Sequence, residues 1–148
     1  MNNKCCTFAG HRTASDTLKN ELIAVVFDLI ENRGVTTFYV GNNGRFDALS
    51  VGAVRAVKQR YKDVRLILVV PKMNSTIKNN KDYYSDMYDE VLIPAESDAA
   101  HYKAMITVRN RWMVDNSDYL ITYIRKDHGG AYSTYKYAKK KNINIVEL

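Results

Sequence analysis

Gly129 and Gly130 open the stretch GGAYST, and Ser133 and Thr134 follow where a helical spacing begins. Adjacent glycines let backbone come close to a ligand and permit positive φ. Free amides at a helix start carry partial positive charge and accept anions. The two hydroxyls can add donors to the same anion, so the stretch reads as a cradle for phosphate or carboxylate. A tight turn with Ser133 or Thr134 capping the helix suits the same residues, and residue types alone leave both readings open. Two further glycine-bearing stretches carry polar side chains. GHRTAS holds Gly10, His11 and Arg12; GNNGRFD holds Gly41, Asn42, Gly44, Phe46 and Asp47. Arg12 can grip a phosphate or base edge through paired hydrogen bonds. His11 can donate to the same groups, or serve as a capping or surface histidine. Neither the dinucleotide GxGxxG nor the GxxxxGK[ST] phosphate loop occurs.

Arg109 precedes Met113 by one helical turn in TVRNRWMVDNSD, so the two share a helix face. An inward guanidinium beside methionine is costly unless it meets an anion. That anion is either a protein carboxylate, such as Asp115 or Asp118, or a bound phosphate. His11, His101 and His128 lack the spacing of metal ligands, so neither a metal nor another cofactor is expected.

The elements that must position these residues alternate along the chain. KCCTFA, VTTFYV, VRLILVV, EVLIP, DYLITYI and INIVEL read as strands at 4–9, 35–40, 64–70, 90–94, 118–124 and 143–148. Helices are expected over 15–33, 46–60, 98–116 and 131–141, the first capped by Ser15 or Asp16 and closed by Gly34. The third should turn Ala99, Tyr102, Met105, Ile106 and Met113 inward. The polar stretch 72–86 reads as a mobile loop or short helix. Near-continuous apolar strands alternating with helices predict a single α/β domain, Rossmann-like, with an open, mostly parallel sheet and helices on both faces. In such a sheet the loops leaving strand carboxyl ends gather on one rim, where ligands bind. All three glycine-bearing stretches occupy loops of that kind.

A length of 148 residues fits one domain with its own core. No apolar run reaches about 18 residues and no leader is evident, so a cytoplasmic protein without a membrane partner is expected. Cys5 and Cys6 are neighbours, point to opposite faces of a strand and read as reduced thiols. The net charge of +6 favours anionic partners. Lys136 and Lys139–Lys141 also have a plainer role, complementing the dipole at a helix end.

CCTFAGHR, FYVGNNGRFD, RNRWMVDNSDYLITYI and GGAYSTYKYAKKK, in order over nearly the whole chain, resemble the YpsA-like branch of the SLOG superfamily. That superfamily joins the DNA-processing Smf/DprA proteins with the Lonely Guy phosphoribohydrolases. The resemblance implies a Rossmann-like sheet with a nucleotide-type ligand on its rim. In Lonely Guy enzymes a helix bearing arginine and methionine precedes a PGGxGTxxE motif that holds phosphate and supplies a glutamate for cleaving a base from ribose 5-phosphate. Arg109, Met113, Gly129 and Gly130 match. His128 stands at the proline, Tyr132 at the next glycine, and Ser133 or Thr134 at the threonine. The glutamate position falls near Lys136–Tyr137, where no carboxylate is present. Glycosidic cleavage passes through a cationic sugar that a carboxylate normally stabilises, so efficient hydrolysis is disfavoured.

Three functions follow as expectations. The first is a binding module that senses or sequesters a small phosphorylated nucleoside, or an NAD-derived or cyclic nucleotide signal. Gly129, Gly130, Ser133, Thr134 and Arg109 would take the phosphate. Gly10, His11, Arg12, Gly41, Asn42, Gly44, Phe46 and Asp47 would shape the ribose or base end. The second is a phosphoribohydrolase or nucleoside transferase whose carboxylate comes from Asp47, Glu96, Asp98 or Asp127. The third, ranked below these, is a single-stranded DNA binder; no aromatic-basic stripe is apparent in the sequence. A homodimer or higher homo-oligomer is also expected, since related folds often pair through helices.

Overall fold

The computed structural model describes residues 3–148. Six strands form one sheet in the order β4-β3-β2-β1-β5-β6, every neighbouring pair parallel. They are β1 (Lys4–Gly10), β2 (Val35–Val40), β3 (Arg65–Val69), β4 (Glu90–Leu92), β5 (Tyr119–Tyr123) and β6 (Asn144–Glu147). The longer helices are α1 (Lys19–Arg33), α2 (Arg45–Lys58), α6 (Met105–Asp115) and α7 (Gly130–Lys140), with α3 (Ser75–Lys78), α4 (Lys81–Met87) and α5 (Ala95–Asp98) as short pieces. The expected α/β class and parallel sheet are present.

Local chemistry sets the boundaries. A 3₁₀ turn over Asp16–Leu18 leads into α1, and Ser15 Oγ caps it by accepting the Thr17 N–H at 3.3 Å. The helix ends at Gly34, φ 74°, whose N–H returns to the Leu29 carbonyl. Pro71 follows β3 closely, where no further ladder donor is available. Across 72–86 the chain forms α3 and α4 rather than an irregular loop, with Asn74 Oδ1 accepting the Ile77 N–H at 3.0 Å and Ile77 buried beneath.

Of the single helix expected over 98–116, only the part from Met105 forms, as α6; the short α5 ends at Asp98, and residues 99–104 are not helical. Between α5 and α6 the chain turns at His101, whose Nδ1 accepts the Lys103 N–H at 3.2 Å and whose carbonyl accepts the Ala104 N–H at 2.8 Å. These local bonds compete with helix propagation. Tyr102 is consequently 65% exposed and Ile106 43%, while Met113 alone of the strongly apolar expectations is fully inside. Trp112 is half-buried and meets Tyr39 edge to face at 5.3 Å.

Helices α1 and α2 pack together on one face of the sheet, and α6 and α7 on the other. Phe8, Phe38, Phe46, Leu22 and Val54 fill the first layer; Ala9, Val114, Leu120 and Ala138 fill part of the second. Burying each large apolar side chain is worth about 1.5–3 kcal/mol, so both layers hold the sheet rigid beneath its rim. From β1 the chain moves through α1 to β2 on one side; from β5 it moves through α7 to β6 on the other. Connections therefore diverge between β1 and β5, which opens a crevice at their carboxyl ends.

Candidate functional site

That crevice is a cleft of about 380 Å³. Its walls are the loop after β1, residues Gly10–Thr13; the loop after β5 with the start of α7, Lys126 and His128–Ala131; and the inner face of α6, Ile106, Arg109, Asn110 and Met113. Asn43 and Asp47 close it from the β2–α2 side, and Thr134 from the first turns of α7.

Arg109 governs the polar chemistry. Only 1% of it is exposed, and it is among the largest fully buried side chains of the protein. Nη1 donates to the Val69 carbonyl at 2.8 Å and Nε to Asn110 Oδ1 at 2.9 Å. Nη2 has no acceptor among the described residues, yet it is not sealed from the cleft that Arg109 lines. Burial pushes the Arg109 pKa down, and the nearby Asp47 carboxylate opposes that fall. Burial likewise raises Asp47, against the Asn43 N–H that Oδ2 accepts at 2.8 Å and the charges of Arg109 and Arg12. The two side chains share the space over Gly41, where a Cβ would lie 3.1 Å from Asp47 Oδ2 and 3.2 Å from Arg109 Nη1. They form no direct ion pair within 4.0 Å.

His11 is buried and ties the two rim loops together. Its Nε2 accepts the Arg125 N–H at 2.7 Å and the Lys126 N–H at 3.2 Å. Two acceptances at Nε2 require a neutral ring with its proton on Nδ1. Burial, then the charges of Lys126, His128 and Arg125, push its pKa down, which keeps that state.

The glycines divide by what surrounds them. At Gly10 a Cβ would meet the Phe46 ring at 2.2 Å, so Phe46 is core and sets the need for glycine. Gly44 has φ 127° and lies against the Arg12 backbone. Gly129 has φ 94°, as a turn into α7 requires, but nothing lies within 4 Å of its Cβ position or that of Gly130. The start of α7 thus faces open space, with the amides of its first turn free of helical partners.

Of the thirteen residues singled out in the sequence, the cleft brings together Gly10, His11, Arg12, Asp47, Arg109, Gly129, Gly130 and Thr134. It leaves out Gly41, Asn42, Gly44, Phe46 and Ser133. Ser133 is exposed, and Thr134 Oγ1 donates to the Gly130 carbonyl at 2.9 Å, leaving its oxygen as an acceptor. Asn43, Asn110, Lys126 and Ile106 line the cleft without having been picked out. The side-chain bond from Arg109 to its neighbour Asn110 has no periodic signature, whereas the nearness of the Lys126 cation to Gly129 in sequence is a signal that could have found it.

The YpsA model, described as the YspA SLOG family, matches residues 2–146. This chain belongs to that SLOG family. No curated protein matches it. Among solved structures, DNA processing protein A from Helicobacter pylori, described for its single-stranded DNA binding mode, aligns with a TM-score of 0.70 at 18% identity, covering 97% of this chain and 64% of that one. DNA processing protein A from Streptococcus pneumoniae aligns with a TM-score of 0.68 at 16% identity, covering 98% and 50%. The SLOG chain thus spans between half and two thirds of these proteins, and the likeness is one of fold.

In this SLOG domain the residues at the position of the Lonely Guy glutamate, Lys136 and Tyr137, do not line the cleft. Lys136 stands over the Tyr132 ring at 5.5 Å, and Tyr137 donates to Asp115 Oδ1 at 2.8 Å. Glu96, Asp98 and Asp127 do not line the cleft, and Asp47 is the one carboxylate that does among the described residues. Helix α7 also shows what the sequence did not make apparent, an outer face where Tyr132 and Tyr135 interleave with exposed Lys136 and Lys139. No described helix is long and apolar enough to cross a membrane.

Proposed function

We propose that the cleft between β1 and β5 binds a small phosphorylated nucleoside-type ligand, which the protein senses or sequesters without efficient hydrolysis. The observation that carries this reading is Arg109: a buried guanidinium with an unpartnered Nη2, lining a cleft that the open start of α7 also lines. A buried cation donor left unused costs stability unless an acceptor arrives. Lys126 and Arg12 add positive charge at the mouth, and membership of the SLOG family supports a nucleotide-type ligand. Retention without cleavage rests on the position of Lys136 and Tyr137 and on the presence of a single lining carboxylate. Titration calorimetry of the folded protein against nucleoside mono- and diphosphates, NAD-derived and cyclic nucleotides tests it. Heat from at least one class is expected; silence across the panel refutes the reading.

A second reading, single-stranded nucleic acid on the outer face of α7, is favoured by the Tyr132–Lys136 and Tyr135–Lys139 interleaving. It predicts oligonucleotide affinity that falls steeply with salt and is lost in a K136E/K139E variant.

A further inference from the structure

We infer that His11 is a pH-operated latch for the loop after β5: the neutral ring holds residues 125–129 against the loop after β1, and the protonated ring lets them go. The geometry is one acceptor serving two donors. Nε2 accepts the Arg125 N–H at 2.7 Å and the Lys126 N–H at 3.2 Å, on a ring that is only 7% exposed. The held segment is itself exposed at every residue from Arg125 to Gly130. Among the described residues no backbone–backbone bond ties 125–128 to another element. The tethers that remain belong to the Arg125 side chain, which lies over the Tyr123 ring at 4.2 Å and donates from Nη1 to the Leu148 carbonyl at 2.9 Å. A buried titratable acceptor therefore holds an exposed strip of chain that has little else to hold it.

Protonation at Nε2 removes the acceptor. The ring then presents an N–H to two other N–H groups, and three donors cannot share one point. Lys126, His128 and Arg125 act on the ring from the loop itself, all with positive sign, and no carboxylate is among the groups that do. From the other elements around it, Tyr123 of β5 meets the ring edge to face at 6.2 Å, Arg12 follows it in the chain, and Asp47 of α2 and Arg109 of α6 line the same cleft. Asp47 is the one carboxylate of that set, and it is engaged by the Asn43 N–H and the charges of Arg109 and Arg12. Asp127 is 94% exposed and pairs with His128 at 3.6 Å. No counter-charge waits for an imidazolium at this place.

Either the ring or the loop must move, and the loop is the exposed partner. It leads through Gly129, φ 94°, into the open start of α7, so its release takes one wall from the cleft. Burial and the neighbouring cations lower the His11 pKa from 6.5. The latch therefore holds above that value and opens as pH falls through the lowered one. The latch stands on the geometry of His11; its consequence, weaker anion binding in acid, rests on the nucleotide reading.

Amide hydrogen exchange by NMR on the isotope-labelled full chain tests the latch, with ring nitrogen shifts reporting the charge of His11. At about pH 7.5 the Arg125 and Lys126 amides should be protected. At about pH 5 their protection, corrected for intrinsic exchange, should fall at least about tenfold while Leu120 and Ile121 of β5 keep theirs. His11→Gln keeps an acceptor that does not titrate and should hold both amides at either pH. His11→Ala has no acceptor and should leave them unprotected throughout. A ring still neutral at about pH 5, protection that survives its protonation, or an equal loss in His11→Gln overturns the latch. Calorimetry with AMP and ADP at the same two pH values tests the consequence. Affinity should fall in acid at least about tenfold more for wild type than for His11→Gln, whose own loss reports the titration of the phosphates. Equal losses overturn the consequence and not the latch; no heat from either nucleotide at about pH 7.5 counts against the nucleotide reading, and exchange alone then decides the latch.

Discussion

Replacing Gly10 with alanine drives a methyl group into the Phe46 ring. The added carbon would sit 2.2 Å from Cγ, 2.4 Å from Cδ2 and 2.7 Å from Cδ1. Phe46 has nowhere to withdraw: it is fully buried, stacked on Tyr123 at 6.2 Å and edge to face with Phe8 at 6.5 Å. Relief must come from shifting α2 against β1, and overpacking of that kind costs about 3 kcal/mol, the upper end of its usual range. For a domain of this length that corresponds to a fall in Tm of about 6–12 °C. Urea denaturation with an unchanged m-value gives the free energy directly. Adding Phe46→Leu should recover about 1 kcal/mol or more relative to the sum of the single variants, because the two residues compete for one space. A G10A protein within about 0.5 kcal/mol of wild type would show that the glycine is not there for the ring.

Gly130→Ala is the opposite case. Its Cβ meets nothing within 4 Å, so urea stability should stay within about 0.5 kcal/mol of wild type, while calorimetric nucleotide affinity falls about tenfold or more as the methyl group fills the anion's place. His11 carries a pH signature: its pKa in the fold is lowered from 6.5, so its stabilising contribution is present above that value and is lost as pH falls through the lowered one. His11→Gln retains an acceptor without titrating, and should flatten the dependence of Tm on pH between about pH 8 and about pH 5. Asp47→Asn tests the alternative of cleavage. If any free base is released from nucleoside monophosphates by wild type, chromatography should show at least about a hundredfold less from this variant, since the lining carboxylate is gone.

Strands were readable because their signals are local. VTTFYV and DYLITYI are β-branched and aromatic, and β2 begins and ends where that composition does. Arg109 and Met113 were also readable as one face, since helical spacing alone puts them together, and both are buried. Misjudgements arose where one particular bond or contact, and not a periodicity, decides. The break at His101 depends on two side-chain and backbone bonds that no periodicity reports. Gly10 lines the cleft, but the need for glycine there comes from a ring that lies 36 positions along the sequence. Phe46 looked available and is core for the same reason. Asn110 earned no notice because its role is set by the guanidinium preceding it.

The bond from His11 Nε2 to the Arg125 N–H spans 114 positions of sequence. Between those two residues lie four of the six strands in part or whole, and the crossover from β4 to β5 must travel from one margin of the sheet to the far side of its first strand. Contacts of such separation form only after most of the chain has found its place. A fragment that lacks either rim loop therefore lacks the His11 bridge, and on the proposed function the capacity to bind requires nearly the whole chain in its folded place.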